Sequence, residues 1–161
     1  SYQNEIDIYC IRPATVCGVS PRMRLDLTVN ILTYNAIKNN IINVFGGKQI
    51  RPNIHINDMV DIYCFFLKKK IPTGIYNAGF ENMSVISIAK LVSNITGAKI
   101  EVQKSNDPRS YRLDSSKLLK RGFKPKYSVE TGIEDVIKFT KSTKILKSFF
   151  SVKWLKDLSI K

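Results

Sequence analysis

Apolar positions recur along the chain at two periods that take turns. Ile6–Arg12 is β-branched and aromatic, ends at Pro13, and reads as a buried strand. Past a loop holding Gly18 and Pro21, residues Leu25, Val29, Leu32 and Ala36 fall on one helical face. Ile41–Phe45 reads as a strand, Gly46 and Gly47 as a turn, and Arg51–Ile56 as a returning extended segment. Asn57 stands where an N-cap would precede a helix with an inward stripe of Met59, Val60, Tyr63, Cys64 and Leu67. Pro72 breaks the chain, and Gly74–Asn77 is a short strand. Ser84 caps a helix that turns Val85, Ile88, Ala89, Val92 and Ile95 inward and stops at Gly97. Lys99–Val102 gives another strand.

The polar stretch Ser105–Tyr111 reads as loop. Ser115–Arg121 forms a short helix halted by Gly122, with Pro125 beyond it. Ser128 caps a last helix that faces inward through Val129, Ile133, Val136 and Ile137. Residues 143–161 form a basic and apolar tail. On a helical wheel its Phe149, Phe150, Trp154, Leu155 and Leu158 gather into no single stripe, which argues against a membrane-surface helix. No internal repeat or low-complexity tract occurs. Helices alternating with short strands place the chain in the α/β or α+β class. A self-contained doubly wound domain would carry several consecutive β-α units and a glycine-rich turn, and neither is spelled here.

Composition changes this picture in one respect. The 161 residues hold 26 Lys and Arg against 13 Asp and Glu, a net charge of +13, so a polyanionic partner is in view. No fully apolar run exceeds Ile62–Leu67, far short of a membrane span. Three cysteines, Cys10, Cys17 and Cys64, cannot pair completely and lack CxxC spacing. A disulfide framework is disfavoured, and a cytoplasmic location follows. His55 is the only histidine, and with Cys10 and Cys17 seven apart no zinc-ligand spacing exists. The chain starts at Ser1 with a strand-like run almost at once, and it reads as a piece of a longer protein.

Several segments are familiar in order. Arg12–Gly18 (RPATVCG) and Phe45–Asp58 (FGGKQIRPNIHIND) resemble the extended short-chain dehydrogenase/reductase family, the NAD-dependent nucleotide-sugar epimerases and dehydratases. There a strand ending in R-x-x-N-V-Y-G precedes a helix, and a hairpin of the form F/Y-G-x-G-x-Q-x-R-D-F-V-H-V-x-D leads into another. Gly74–Gly79 (GIYNAG), Asp107–Lys117 (DPRSYRLDSSK) and Gly122–Pro125 (GFKP) are similar to later family elements. The resemblance runs from about Ile6 to about Thr140.

The resemblance implies an α/β fold: the last strand or strands of a Rossmann-type sheet plus a small α+β substrate-binding lobe. Residues 1–142 would form this carboxyl-terminal portion, without the amino-terminal dinucleotide-binding units. The family's glycine-rich fingerprint and catalytic Tyr-x-x-x-Lys would lie upstream. Tyr34 and Lys38 match that spelling, but on the helix after the RPATVCG strand, where the family does not place the pair. NAD or NADP would be bound mainly by upstream residues, with Pro13 and Ala14 lining the nicotinamide side and Thr15 the substrate side. The partner implied is a nucleotide-diphosphate-sugar, in isomerase or lyase chemistry, with a homodimer of the full-length protein possible. The chain alone would be catalytically silent.

Each candidate has a plainer reading. Arg51 is a surface arginine or, by its motif, a bidentate donor to a sugar-nucleotide pyrophosphate. Arg109 is the second diphosphate arginine implied by the resemblance, and Arg112 could trade roles with it. Asn30 matches an asparagine that touches substrate phosphate, or is a solvent-facing helical residue. Thr15, Cys17, Val19 and Pro52 depart from the family spelling, which leaves the sugar and reaction open. His55 reads as structural, and Cys17 as a small buried hydrophobe with no base beside it. Two other functions compete: a non-catalytic scaffold derived from this fold, with the tail as partner surface, and a basic nucleic-acid-binding module. The second is disfavoured because the lysines are scattered and no nucleic-acid motif is spelled.

Overall fold

A computed structural model describes residues 5–143. The tail assigned to 143–161 therefore lies almost wholly outside the described residues. Seven strands and five helices alternate: β1 (Tyr9–Pro13), β2 (Thr15–Cys17), α1 (Thr28–Asn39), β3 (Ile41–Phe45), β4 (Ile50–His55), α2 (Ile56–Lys68), β5 (Gly74–Ala78), β6 (Glu81–Ser84), α3 (Val85–Thr96), β7 (Lys99–Gln103), α4 (Ser116–Lys120) and α5 (Val129–Ser142). The fold is α/β with parallel pairing dominant.

The strands form three small sheets. β1 pairs with β5 in parallel, from Tyr9 opposite Gly74 to Pro13 opposite Ala78. β2 runs parallel to β4, and β6 joins the other edge of β4 antiparallel. β3 pairs in parallel with β7. The hairpin expected across Gly46 and Gly47 does not form, since β3 and β4 pair with different partners. Both glycines have positive φ, 78° and 104°, so the chain reverses there without closing a ladder.

Two apolar cores hold these pieces together. One lies where α1, α3 and α5 meet β3, with Val29, Leu32, Ile42, Ile88, Val92 and Ile133 at its centre. The other lies between α2 and the β1–β5 pair, around Ile62, Phe66, Tyr76 and Leu118. Helix α3 follows its reading closely: Ser84 Oγ accepts the Ser87 N–H at 3.1 Å, and Gly97 ends it at φ 76°. Ile95, however, is exposed, because the buried stripe stays with Ile88, Ala89 and Val92. In α5 the Ser128 cap and the inward Val129, Ile133 and Val136 are as expected.

Helix α2 departs most. Its N-cap is His55, whose Nδ1 accepts the Asn57 N–H at 3.1 Å, and not Asn57 itself. Its buried face is Asp58, Met59, Ile62 and Phe66, while Val60, Tyr63, Cys64 and Leu67 (87% exposed) point outward. β1 is likewise only half covered: α2 packs on the Tyr9 and Ile11 face, and Cys10, Arg12 and Pro13 remain exposed. Among the described residues no helix is long and apolar enough to cross a membrane.

Candidate functional site

The carboxyl end of β3, the starts of β2 and β4, the outer face of α1 and the loop 104–115 enclose a cavity of ≈ 550 Å³. Thr15, Arg51 and Arg109 line it together, with Tyr111 and Asp107 from the same loop. Asp26 lines it too, but the Arg24 guanidinium neutralises that carboxylate through contacts of 2.6 and 2.9 Å.

Arg51 reaches this cavity from the start of β4. Its side chain is only 13% exposed and its guanidinium lies 5.8 Å from the Tyr111 ring centroid. Nη2 donates to Asp107 Oδ2 at 3.0 Å, and Nη1 donates to the Arg109 carbonyl. Arg109, far more exposed, wraps the same carboxylate. Its Nε donates to Oδ1 and its Nη2 to Oδ2, both at 2.8 Å, and its backbone N–H adds a 3.0 Å bond to Oδ1. The Arg109 side chain and N–H, then the charge of Arg51, hold the Asp107 carboxyl well below the usual carboxylate range. A depressed pKa keeps these ion pairs intact through neutral and mildly acid pH, and they are lost only as pH falls through that low value. Two guanidiniums thus meet at one carboxylate, Arg109 as a fork on both oxygens and Arg51 through a single bond to Oδ2, an arrangement whose chemistry suits an anion.

Other expected residues lie elsewhere. Asn30 is buried, not solvent-facing. Its Oδ1 accepts the Gly18 N–H at 3.1 Å, its Nδ2 donates to the Arg24 carbonyl at 2.9 Å, and it borders a separate, smaller cavity. Pro13 ends β1 exposed, and Ala14 behind it is nearly buried, its N–H donating to the Ala78 carbonyl at 2.7 Å. Neither Pro13 nor Ala14 lines the larger cavity. Arg112 does not line it either. Tyr34 packs beside Met23, Leu25 and Val136, away from it.

Asp107 is the member that sequence reasoning missed. The signal available was Asp-Pro-Arg in a polar loop, a spacing that lets a carboxylate accept the N–H two residues on.

Outside that lining, a second polar group is structural. Since Nδ1 of His55 accepts a backbone N–H, the proton sits on Nε2, which donates to Asp135 Oδ2 at 3.2 Å. The ring stacks on Tyr127 with centroids 4.8 Å apart. Cys17 lies close by, 1% exposed, and burial, helped by the charge of Glu81, pushes its thiol up to about 12. Such a thiol is protonated at neutral pH and no nucleophile. With a thiol-specific chromogenic reagent at pH 8, the exposed Cys10 and Cys64 are expected to react within minutes and Cys17 only after denaturant is added. Three rapid equivalents in the native protein would contradict this placement.

Comparison with known proteins agrees with this architecture. The sequence model of the NAD dependent epimerase/dehydratase family matches residues 1–79. A curated relative, the (2S)-flavan-3-ol-forming anthocyanidin reductase of Vitis vinifera, is 25% identical over 91% of this chain and 46% of its own. Among solved structures, a mutant UDP-glucuronic acid 4-epimerase of Bacillus cereus in complex with NAD is 27% identical, with TM-score 0.73 over 87% of this chain and 47% of that one. The UDP-N-acetylglucosamine 4-epimerase of Bacillus cereus shares the fold at 18% identity, with TM-score 0.75 over 92% and 52%. The chain spans about half the length of the proteins it matches. With its first 79 residues matching that family's sequence model and its strands and helices superposing on such enzymes, the chain is similar in sequence and in fold to the NAD-dependent epimerases and dehydratases of the extended short-chain dehydrogenase/reductase type.

Proposed function

We propose that the cavity holds the diphosphate of a nucleotide-sugar, as the substrate-binding part of an NAD- or NADP-dependent epimerase or dehydratase. The observation that carries this reading is the convergence of Arg51 and Arg109 on a single anionic site inside one cavity. Two planar donors suit the paired oxygens of a diphosphate, whereas an uncharged ligand would draw nothing from either guanidinium's charge. Thr15 offers a hydroxyl at the mouth of β2, on the side of the cavity reached after β1 ends. Tyr111 and Phe45 add aromatic surface to the same lining.

In the reaction this chain's residues would orient the substrate. Held at its diphosphate, the sugar is fixed by binding energy remote from the reacting carbon, which serves proximity without touching the bond that changes. The exposed Pro13, backed by Ala14, presents an uncharged edge at the carboxyl end of β1, where a flat ring can lie in an open α/β sheet. A bound NAD or NADP would supply hydride acceptance and return there.

Calorimetric titration of the 161-residue protein with UDP-, GDP-, CDP- and dTDP-sugars tests the reading. Saturable binding of one nucleotide class is expected, weakened about tenfold to hundredfold in Arg51→Ala, in line with loss of charged hydrogen bonds. A folded protein that binds none of them, or an Arg51→Ala variant that binds as well as wild type, would remove the diphosphate site.

A further inference from the structure

We propose that Asp107 is an internal stand-in for the bound anion, so that ligand enters the cavity by exchange and not by simple addition. The inference rests on the reading that Arg51 and Arg109 take a diphosphate.

Three observations carry it. First, the Asp107 carboxylate occupies the position where the two guanidiniums meet, and it receives four donors: one from Arg51 and three from Arg109. An anion can take the Arg51 Nη2–H and the Arg109 Nε/Nη2 edge that face Asp107 only as those bonds open. Second, the loop is anchored unevenly. Its second half is tied to the body by neutral hydrogen bonds. Ser110 Oγ accepts the Ile50 N–H at 3.0 Å. The Asn82 side chain bonds both the N–H and the carbonyl of Leu113, and Ser115 Oγ bonds both backbone groups of Gly79. Its first half, residues 105–109, is joined to the rest of the described chain by hydrogen bonds through Arg51 alone. Breaking one exchangeable ion pair and the bond to the Arg109 carbonyl therefore frees that half while the other stays fixed. Third, the charges match an exchange. Asp107 offsets one of the two arginines, and the remaining acid in the lining, Asp26, is already held by Arg24. A dianionic ligand replacing Asp107 would satisfy both guanidiniums and return the carboxylate to water, where its ordinary solvation is regained.

The carboxylate thus sets affinity downward and selects for ligands able to outbid it. A monoanion makes no gain over Asp107, whereas a diphosphate does. The segment that moves carries Arg109 itself, so the same exchange would bring the second guanidinium onto the ligand.

The test uses inorganic pyrophosphate, UDP and acetate as probes, titrated by calorimetry into the wild type, Asp107→Asn, Asp107→Ala and Arg51→Ala proteins, with thermal unfolding as the folding check. Removing the competing charge is expected to tighten pyrophosphate and UDP about fivefold or more in both Asp107 variants. Acetate binding should be undetectable in wild type and gained in Asp107→Asn. Equal or weaker pyrophosphate binding by folded Asp107→Asn and Asp107→Ala, with Arg51→Ala still impaired, would overturn the exchange and leave the diphosphate site standing. Absence of binding in wild type and both Asp107 variants alike would overturn both.

Discussion

Asp58→Ala is expected to lower the unfolding free energy by about 3 kcal/mol, since it deletes two hydrogen bonds to a buried carboxylate and strands their donors. Asp58 sits fully buried in the first turn of α2, where a negative charge faces the positive end of the helix. Its Oδ1 accepts the Lys126 N–H at 2.9 Å and its Oδ2 the Tyr127 N–H at 3.2 Å. One side chain therefore fastens α2 to the segment that leads into α5. Asp58→Asn keeps one acceptor and turns an amide N–H₂ toward the other donor, so about 2 kcal/mol of the loss should persist. The exposed Lys126–Asp61 contact, at 2.7 Å, provides the control: Asp61→Ala should cost less than about 0.5 kcal/mol. Urea unfolding followed by circular dichroism measures all three. A loss under about 1 kcal/mol in Asp58→Ala would mean that water replaces the carboxylate at Lys126 and Tyr127.

Gly79→Ala should cost about 2–3 kcal/mol for a steric reason alone. The turn after β5 passes so close to the end of β1 that a Cβ on Gly79 would stand 2.5 Å from the Ala14 Cβ and 3.0 Å from Leu113 Cδ2. The backbone cannot drift to relieve this, because Ser115 Oγ accepts the Gly79 N–H at 2.9 Å and donates to its carbonyl at 2.7 Å. Removing the opposing methyl is the decisive experiment. In the double variant Ala14→Gly/Gly79→Ala the 2.5 Å contact disappears and only the movable end of Leu113 must give way, so stability should recover to within about 1 kcal/mol of wild type, the remainder including the added glycine's chain entropy. Additive losses would assign the effect to something other than this contact.

These predictions rest on contacts of unequal legibility. Helices α3 and α5 could be read directly because a serine cap fixed each start and only one apolar stripe was available. Helix α2 offered no such choice, since Val60, Ile62, Tyr63, Cys64, Phe65, Phe66 and Leu67 surround its axis almost completely. Periodicity could not select a face there. The sheet did, and it selected the one with Asp58 and Phe66. Strand β6, Glu81–Ser84, has neither β-branched residues nor alternation, and owes its extended form to pairing with β4. At the site, Arg51, Arg109 and Thr15 were reachable through motif order, and the structure brings all three to one cavity. Asp107 was not, because its role depends on two arginines that meet only after the chain has folded.

The strand registers also bear on how the molecule reaches this state. No pair in the three sheets is a hairpin: β1 waits for β5, β3 for β7, and β2 for β4, each across an intervening helix. Topologies built from such distant contacts fold slowly, because loop-closure entropy is lost before any ladder forms. Within the described residues β1 finds its partner strand only in β5, with α1, β3, β4 and α2 lying between them in sequence. Helices α1, α3 and α5, whose contacts with one another assemble the first core, cannot meet until α5 is complete. Assembly of this core from the unfolded chain therefore waits on contacts far apart in sequence, and refolding after dilution from denaturant should be slow beside that of a helical bundle of similar length.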